Sequence, residues 1–532
     1  MRESEAQEVD AVIVGAGFGG LYMLYRLLKM GLSVKVLEKG SGVGGTWYWN
    51  RYPGARCDVE SMEYSYQFSN SLEQEWEWTE RYAGQKEILE YLNHVADRFD
   101  LRSHIFFECE VTSACFNDDA QRWQVDAGEE KFSSRFCVMA TGNLSSTNTP
   151  SFEGIEEFGG EIYHTGNWPH DPVDFTNKRI GIIGTGSSAI QATPVIAPQA
   201  KELHVFQRTP NFSVPAKNHP LAKEVQDEIK RDYSGLRARA RALPIACFMP
   251  PNPGKAVEAL PEEREDVFEE KWEKGGLTFL GSFSDIATDP VANEYAAEFI
   301  REKIRGIVKD PGTADLLCPD HVVGCKRPCS DTGYYEAFNR SNVHLVDVAR
   351  HPIERLTSEG LKTSKRSYEL DMIIFATGFD AMTGALDNIN IVGRNGETLK
   401  DKWEAGPRTY LGVATAGFPN FFTITGPGSP SVLANMVTGV EQHAEWIADC
   451  ISHLDLKGHA TVEPSLQAED EWVAHVNVVA DKTLYPTCNS WYLGANIPGK
   501  PRVFMPYIGG WPAYEKKCKE VVEGGYVGFE FN

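Results

Sequence analysis

An α/β protein with two doubly wound parallel-sheet units, the second interrupted by a helical insertion, is what this 532-residue sequence predicts. Three observations carry that expectation. A strand–glycine–helix–strand grammar occurs twice. Two Ala-Thr-Gly segments each close an apolar strand, and one long charged stretch has helical but little strand character. With 42% hydrophobic residues the chain has material for two or three domains with cores of their own.

The first unit is "DAVIVGAGFGGLYMLYRLLKMGLSVKVLEK". The apolar run Ala11 to Val14 reads as a buried parallel strand. Gly15, Gly17 and Gly20 follow in G-x-G-x-x-G spacing, with Gly19 among them. A helix-like stretch from Leu21 to Met30 stops near Gly31, and a second strand, Ser33 to Leu37, delivers Glu38. Such glycines let the backbone approach a pyrophosphate at a helix N-terminus, and an acid about 20 residues on accepts hydrogen bonds from a ribose hydroxyl. This is a Rossmann-like dinucleotide-binding pattern. It returns in "RIGIIGTGSSAIQATPVIAPQAKELHVFQRT", with Gly184, Gly186 and Ala189 at the glycine positions and a second strand from Leu203 to Phe206. There Arg208 stands near the place of the acid, and an arginine suits a 2′-phosphate. Different nucleotides are expected in the two units, FAD in the first and NADPH in the second.

"MATGN" (Met139 to Asn143) and "FATGFD" (Phe375 to Asp380) read as strand ends that return the chain between paired domains. Stretches such as "PEEREDVFEEKWEKGG" mark 221–324 as a helical insertion in the NADP domain, their charge runs being solvated faces. The tail is expected to rejoin the first sheet, which 150 residues alone would leave poorly covered. The resulting division is an FAD-binding domain from 1–145 and 385–532, a linker and NADP-binding domain from 146–220 and 325–384, and the insertion.

The net charge of −23, from 75 acids and 52 bases, argues against a nucleic-acid or anionic-membrane surface. No run of about 18 uncharged apolar residues suggests a membrane span, and "MRESEAQEVD" is unlike a secretion signal. Eleven cysteines are scattered without a C-x-x-C pair. Cys325 and Cys329, the closest two, match neither zinc nor dithiol spacing. That usage points to a reducing, cytoplasmic setting. It also offers no cysteine pair of the kind disulfide reductases place beside a flavin, so dioxygen is the expected acceptor of the flavin's electrons. Oligomeric state is not legible.

"FGGEIYHTGNWP", Phe158 to Pro169, resembles the fingerprint of Baeyer–Villiger monooxygenases, F-x-G-x-x-x-H-x-x-x-W followed by Pro or Asp, at Phe158, Gly160, His164, Trp168 and Pro169. "GGTWYWNRYPGARCDVES", "GTGSSAIQ", "QRTPN", "CKRP" and "SWYLGANIPGKPR" extend the resemblance over nearly the whole chain apart from the insertion. It implies that NADPH reduces FAD, that dioxygen then forms a peroxyflavin, and that one oxygen enters beside a ketone carbonyl to give an ester or lactone, NADP⁺ and water.

By the same resemblance Arg327, in "CKRP", is the catalytic arginine, a rigid permanent cation suited to anionic species in a dry site. Asp58, in "RCDVE", is its acid partner near the flavin, although such an acid can equally cap a helix. Arg208, Thr209 and Lys326 match phosphate-side contacts to NADPH, as do Gly184, Thr185, Gly186, Ser187, Ser188, Ala189 and Ile190 of the second glycine motif. Trp491 matches an indole near the nicotinamide ribose, with packing as the alternative. Thr46, Trp47, Tyr48, Trp49, Tyr64, Val111 and Met436 match flavin contacts, though aromatic clusters of this kind also suit a core. His164 and Trp168 are placed in the linker, ordering the joint and the nicotinamide cofactor without proton transfer to substrate; the alternative is a satisfied core histidine and a packed indole. "GPGSPSVLANM", Gly426 to Met436, resembles the pocket loop of the phenylacetone and steroid monooxygenase branch and leans toward bulky or aryl ketones. An N- or S-oxygenating flavoprotein and a non-catalytic NADPH-binding sensor are the competing functions.

Overall fold

The computed structural model describes residues 6–532, so the first five residues of the polar start lie outside it. The first sheet is built around β1 (Gln7–Val14), which is followed by α1 (Phe18–Lys29) and β2 (Val34–Leu37). β1 pairs in parallel with β2 on one side and with β3 (Glu130–Met139) on the other. A strand enclosed in this way is covered on both faces, which is why Ala11, Val12 and Ile13 form an unbroken apolar run with no exposed surface. β1 begins four residues earlier than its apolar run and α1 starts at Phe18 rather than Leu21, because the helix opens directly off the glycine turn. The full order runs Asn390–Val392, Ser113–Asn117, Arg122–Ala127, β3, β1, β2, Ile105–Phe106, with Phe421–Thr423 also paired to β3.

The second sheet is wholly parallel. β4 (Glu161–His164), β5 (Arg179–Ile183), α2 (Ser187–Ile196), β6 (Glu202–Gln207) and β7 (Met372–Phe375) supply it together with Val343–Asp347, in the order Val343–Asp347, β6, β5, β7, β4. Both sheets carry the same brace. Gly15 has φ +101°, and a Cβ on it would stand 2.6 Å from the carbonyl oxygen of Ala140; Gly184 has φ +116°, and its Cβ would stand 2.3 Å from that of Ala376. Each Ala-Thr-Gly segment thus pushes a backbone carbonyl under the first glycine of its own sheet, where no side chain fits.

The insertion differs from its sequence reading. Residues 221–324 do not all belong to the second unit. Tyr233, Ala246 and Cys247 are buried in the same core as β1 and α1, whereas Phe268, Trp272 and Phe299 join the core of β5 and α2. Arg237 fixes the first part: it donates to the Glu63 carbonyl at 2.7 Å and to Ser65 Oγ at 2.7 Å, and pairs with Glu73 at 3.2 Å. At the other end of the chain, α3 (Met436–Lys457) lies against α1 and completes the first core. Among the described residues no helix is long and apolar enough to cross a membrane.

Glu441 of α3 is buried in this core. One oxygen accepts the Gln67 and Phe68 amides at 2.7 and 3.0 Å, and the other has no partner. Burial pushes its carboxyl up to about 8, against the pull of those amides and of Arg237. Between the ordinary glutamate range and pH 8 the unfolded chain therefore loses a proton that the folded chain keeps. Stability falls as pH rises through that window, by at most about 1.4 kcal/mol per pH unit for one proton. Glu441→Gln, which keeps the accepting oxygen and cannot ionise, is expected to flatten the decline in Tm between pH 5 and 8. Thermal unfolding at a series of pH values checks this; parallel curves for the two proteins would overturn it.

Candidate active site

The two glycine turns open onto one cavity of about 1170 Å³, more than a single small-ligand pocket usually offers. From the first unit it is walled by Gly17, Gly19, Thr46, Trp47, Asp58 and Tyr64, and from the second by Gly184, Thr185, Gly186, Ser187, Ser188, Arg208 and Thr209. Lys326, Arg327, Met436 and Trp491 complete the expected set on this wall. The other expected residues stand behind it. Gly15 is pressed on Ala140, and a Cβ on Gly20 would meet the Gly15 carbonyl. Val111 is packed in the core under Arg122–Ala127, while Ala189 and Ile190 face the second core. The Tyr48 hydroxyl is bonded to Ser41, and the Trp49 carbonyl accepts the Trp168 amide at 3.3 Å.

Whether the walls fit two dinucleotides is tested by the glycines and the charges. Gly17 and Gly186 immediately precede α1 and α2, where the helices present unpaired N–H groups. A Cβ on Gly186 would meet nothing within 4 Å, so the turn lies open to the cavity. At the end of β2, Glu38 accepts the Ala16 and Gly40 amides, each at 2.7 Å, and burial raises its carboxyl above the ordinary range in spite of them. In the second unit Arg208 and Lys326 converge, and among the described residues neither is ion-paired with a carboxylate. Burial lowers the Lys326 ammonium below the ordinary lysine range and the Arg208 charge lowers it further. Two crowded cations on a cavity wall fit a phosphate dianion. The donors and cradles fit an FAD in the first unit and an NADP in the second.

Arg327 is held with unusual definition. Its Nε and Nη2 donate to the two oxygens of Asp58 at 2.6 and 3.0 Å, and its Nη1 donates to the Val432 carbonyl at 2.6 Å. Asp58 therefore caps no helix. It meets the guanidinium in a bidentate fork across 269 residues of chain. Burial alone would weaken the Arg327 charge, but the Asp58 carboxylate more than offsets it and keeps the proton affinity above that of a free arginine. Three of the five N–H donors are used in these bonds, and the side chain stays partly open to the cavity. A fixed cation that cannot release its proton is able to stabilise negative charge and unable to act as a general acid.

The placement of His164 needs a correction. His164 is the last residue of β4, paired with β7, and so belongs to the edge of the second sheet and not to a free linker. Its Nδ1 accepts the Gly166 amide at 2.9 Å. Its Nε2 lies 3.3 Å from Thr377 Oγ1, whose own proton goes to the Asn148 carbonyl. Nε2 must then be the protonated nitrogen, which makes the ring a neutral clip between the returning chain and the Ala-Thr-Gly segment. Burial, by lowering its pKa, keeps it neutral. Trp168 is buried beside Tyr163 and Phe175, and it is the Trp168 main chain that reaches across to Trp49.

Some neighbours of the site were invisible in the sequence. Tyr52 donates to Gln191 Oε1 at 2.8 Å and Gln191 donates to the Arg56 carbonyl at 3.1 Å, stitching α2 to the segment that carries Asp58. A disulfide joins Cys325 to Cys488, 163 residues on, while nine other cysteines are free. Cys325 thus pairs with a cysteine that no spacing rule could connect to it, and Cys488 borders the cavity.

Comparison with known proteins is consistent with this geometry. Residues 12–235 match a family described as pyridine nucleotide-disulphide oxidoreductase. A Baeyer–Villiger monooxygenase from Pseudooceanicola batsensis is 44% identical over 98% of this chain and 96% of its own. Among solved structures, an oxidised steroid monooxygenase bound to NADP is 52% identical, covers 99% of both chains and superposes with a TM-score of 0.95. OTEMO in complex with FAD and NADP is 40% identical over 99% of this chain and 100% of its own, with a TM-score of 0.96. With likeness of this degree along its whole length, the chain belongs to the Baeyer–Villiger monooxygenase family.

Proposed function

We infer that this chain uses NADPH and FAD to insert one oxygen atom of dioxygen beside the carbonyl of a ketone, giving an ester or lactone, water and NADP⁺. The observation that carries the reading is the Asp58–Arg327 fork on the wall of one cavity shared by both nucleotide turns. FAD supplies hydride acceptance and activation of dioxygen. The chain supplies the rest. Gly15, Gly17, Gly19 and Gly20 let α1 meet the pyrophosphate of FAD, and Glu38 orders the adenosine side by fixing the Ala16 and Gly40 amides. Arg208, Thr209 and Lys326 take the 2′-phosphate of NADPH, and the turn from Gly184 to Ser188 takes its pyrophosphate. Arg327, aimed by Asp58 and by the Val432 carbonyl, faces the negative charge that develops during oxygen transfer, and Trp491 covers the nicotinamide side.

The Val432 contact joins the cationic centre to the Gly426–Met436 loop, so the same loop that shapes the ketone pocket also sets the guanidinium. Its resemblance to the pocket loop of the phenylacetone and steroid monooxygenase branch favours bulky or aryl ketones. The free state of nine cysteines supports a reducing, cytoplasmic setting. The reading is tested by supplying NADPH, air and a panel of cyclic, linear and aryl ketones, with an amine and a thioether alongside. Esters or lactones formed in step with NADPH use are the expected result. N- or S-oxides with no ester would move the chain to heteroatom oxygenation, and peroxide as sole product would remove the ketone from the reaction.

A further inference from the structure

The bond between Cys325 and Cys488 joins two segments that the site depends on. Cys325 is two residues before Arg327, and Cys488 is three before Trp491. The segment from Tyr485 to Met505 forms a strap along the cavity, presenting Cys488, Ser490, Trp491 and Asn496 to it. Elsewhere the strap is attached without covalent bonds, with Tyr492, Leu493, Phe504 and Met505 buried against Ala381, Met382 and Val432. The Leu484 amide donates to the Ala287 carbonyl at 2.8 Å, Asn496 Nδ2 donates to the Phe379 carbonyl at 2.8 Å, and Lys500 is ion-paired with Asp380. The disulfide is the covalent attachment of the strap to the Lys326–Arg327 loop.

The surroundings suit reversible chemistry. Cys325 is fully buried, with its sulfur 3.7 Å from His321 Nδ1 and the Lys326 ammonium on the next residue. Cys488 is partly exposed. In the dithiol state the partly exposed Cys488 is the sulfur that a small oxidant meets first, and its thiolate is the nucleophilic form. A disulfide in a reducing setting is ordinarily a transient or sensing one, and exposure of one partner makes it open to exchange.

We propose that Cys325–Cys488 is a reversible redox latch, which as a disulfide holds the Trp491 strap to the Arg327 loop and as a dithiol releases it. The oxidant is hydrogen peroxide, and the reductant a cellular dithiol. The Cys488 thiolate attacks one peroxide oxygen, the O–O bond breaks, and the leaving hydroxide takes a proton to become water. The resulting Cys488 sulfenic acid is attacked at sulfur by the Cys325 thiolate; the S–S bond forms, the S–O bond breaks, and a second water leaves. Two thiols are oxidised by two electrons in all and one peroxide is reduced to two waters. Reduction runs by two thiol–disulfide exchanges that leave the small dithiol oxidised. The latch rests on the proposed function for its reducing setting and for its nearest source of peroxide, reduced flavin meeting dioxygen without a ketone.

The test uses the holoenzyme reduced with dithiothreitol and desalted, half of it then treated with added hydrogen peroxide. Peptide mapping without reductant is expected to find a Cys325–Cys488 cross-linked peptide only in the treated half. Amide hydrogen exchange across residues 485–505 is expected to be on the order of tenfold faster in the dithiol form, since local opening is no longer opposed by the tether. Cys488→Ser should match the dithiol form and ignore peroxide, and if that variant folds poorly the two states of the parent protein still decide the matter. Equal exchange in both states, a cross-link that dithiothreitol does not open, or pairing with another cysteine would each overturn the latch. Because the peroxide is added, absence of ester formation would count against the proposed function alone.

Discussion

Arg327→Ala is expected to retain FAD and to lose ester formation by on the order of 10²–10³, the usual cost of deleting a donor aimed at developing negative charge. FAD should stay because the glycine turn between β1 and α1, and Glu38 after β2, make no bond to the guanidinium, whose partners are Asp58 and Val432. Arg327→Lys is also expected to fail, since an ammonium cannot make the planar two-point contact with Asp58 while reaching the Val432 carbonyl. The variant leaves the Asp58 carboxylate without its cation, which adds a structural cost to the chemical one. Two measurements separate the causes. Anaerobic bleaching of the flavin by NADPH reports on the reductive half alone, and visible absorbance reports bound FAD. Ester formation at the parental rate in Arg327→Ala would remove this residue from the chemistry; normal bleaching with no ester would place it in oxygen transfer.

Arg208→Ala is expected to weaken NADPH by about 1.5–3 kcal/mol, the worth of one charge-assisted contact, which is roughly 10- to 150-fold in affinity. NADH should change little, because it lacks the phosphate these cations would meet. Lys326 remains in the single variant, and removing it as well should bring NADPH down to the affinity of NADH. Titration of each nucleotide into the oxidised enzyme, followed by flavin absorbance, gives the two constants. Equal losses for NADPH and NADH would move Arg208 from the phosphate to general packing.

The parts of the fold that were legible in the sequence are those in which neighbouring residues determine one another. The two strand–turn–helix units could be read because Gly15 and Gly184 must be followed by a helix start, and because an enclosed strand must be apolar on both faces. Glu38 and Arg208 could be read as strand-end residues for the same reason. Asp58 and Arg327 could be singled out only by resemblance, since 269 residues separate them and no local pattern requires their pairing. Cys325 with Cys488, and Tyr52 with Gln191, were beyond reach on the same ground. Tyr233 illustrates a different limit. Charge and helical character described its segment well but say nothing about which of two cores will accept one buried ring, and that choice follows from the placement of Glu63 and Ser65 beneath Arg237.

The assembly of the first core has a consequence for how the protein is made. β1 and α1 leave the ribosome first, yet the helix that covers α1 begins at Met436. Domains tend to fold as they emerge, at about 5–20 residues per second, so for some tens of seconds the apolar side of α1 stands without its permanent cover. The second unit, by contrast, gains β4, β5, α2 and β6 within one continuous stretch, Glu161–Gln207, and waits only for Val343–Asp347 and β7. The order of synthesis is therefore opposite to the order of completion. The later-made nucleotide unit closes first, and the earlier-made one is finished last, around a helix that follows both in the chain.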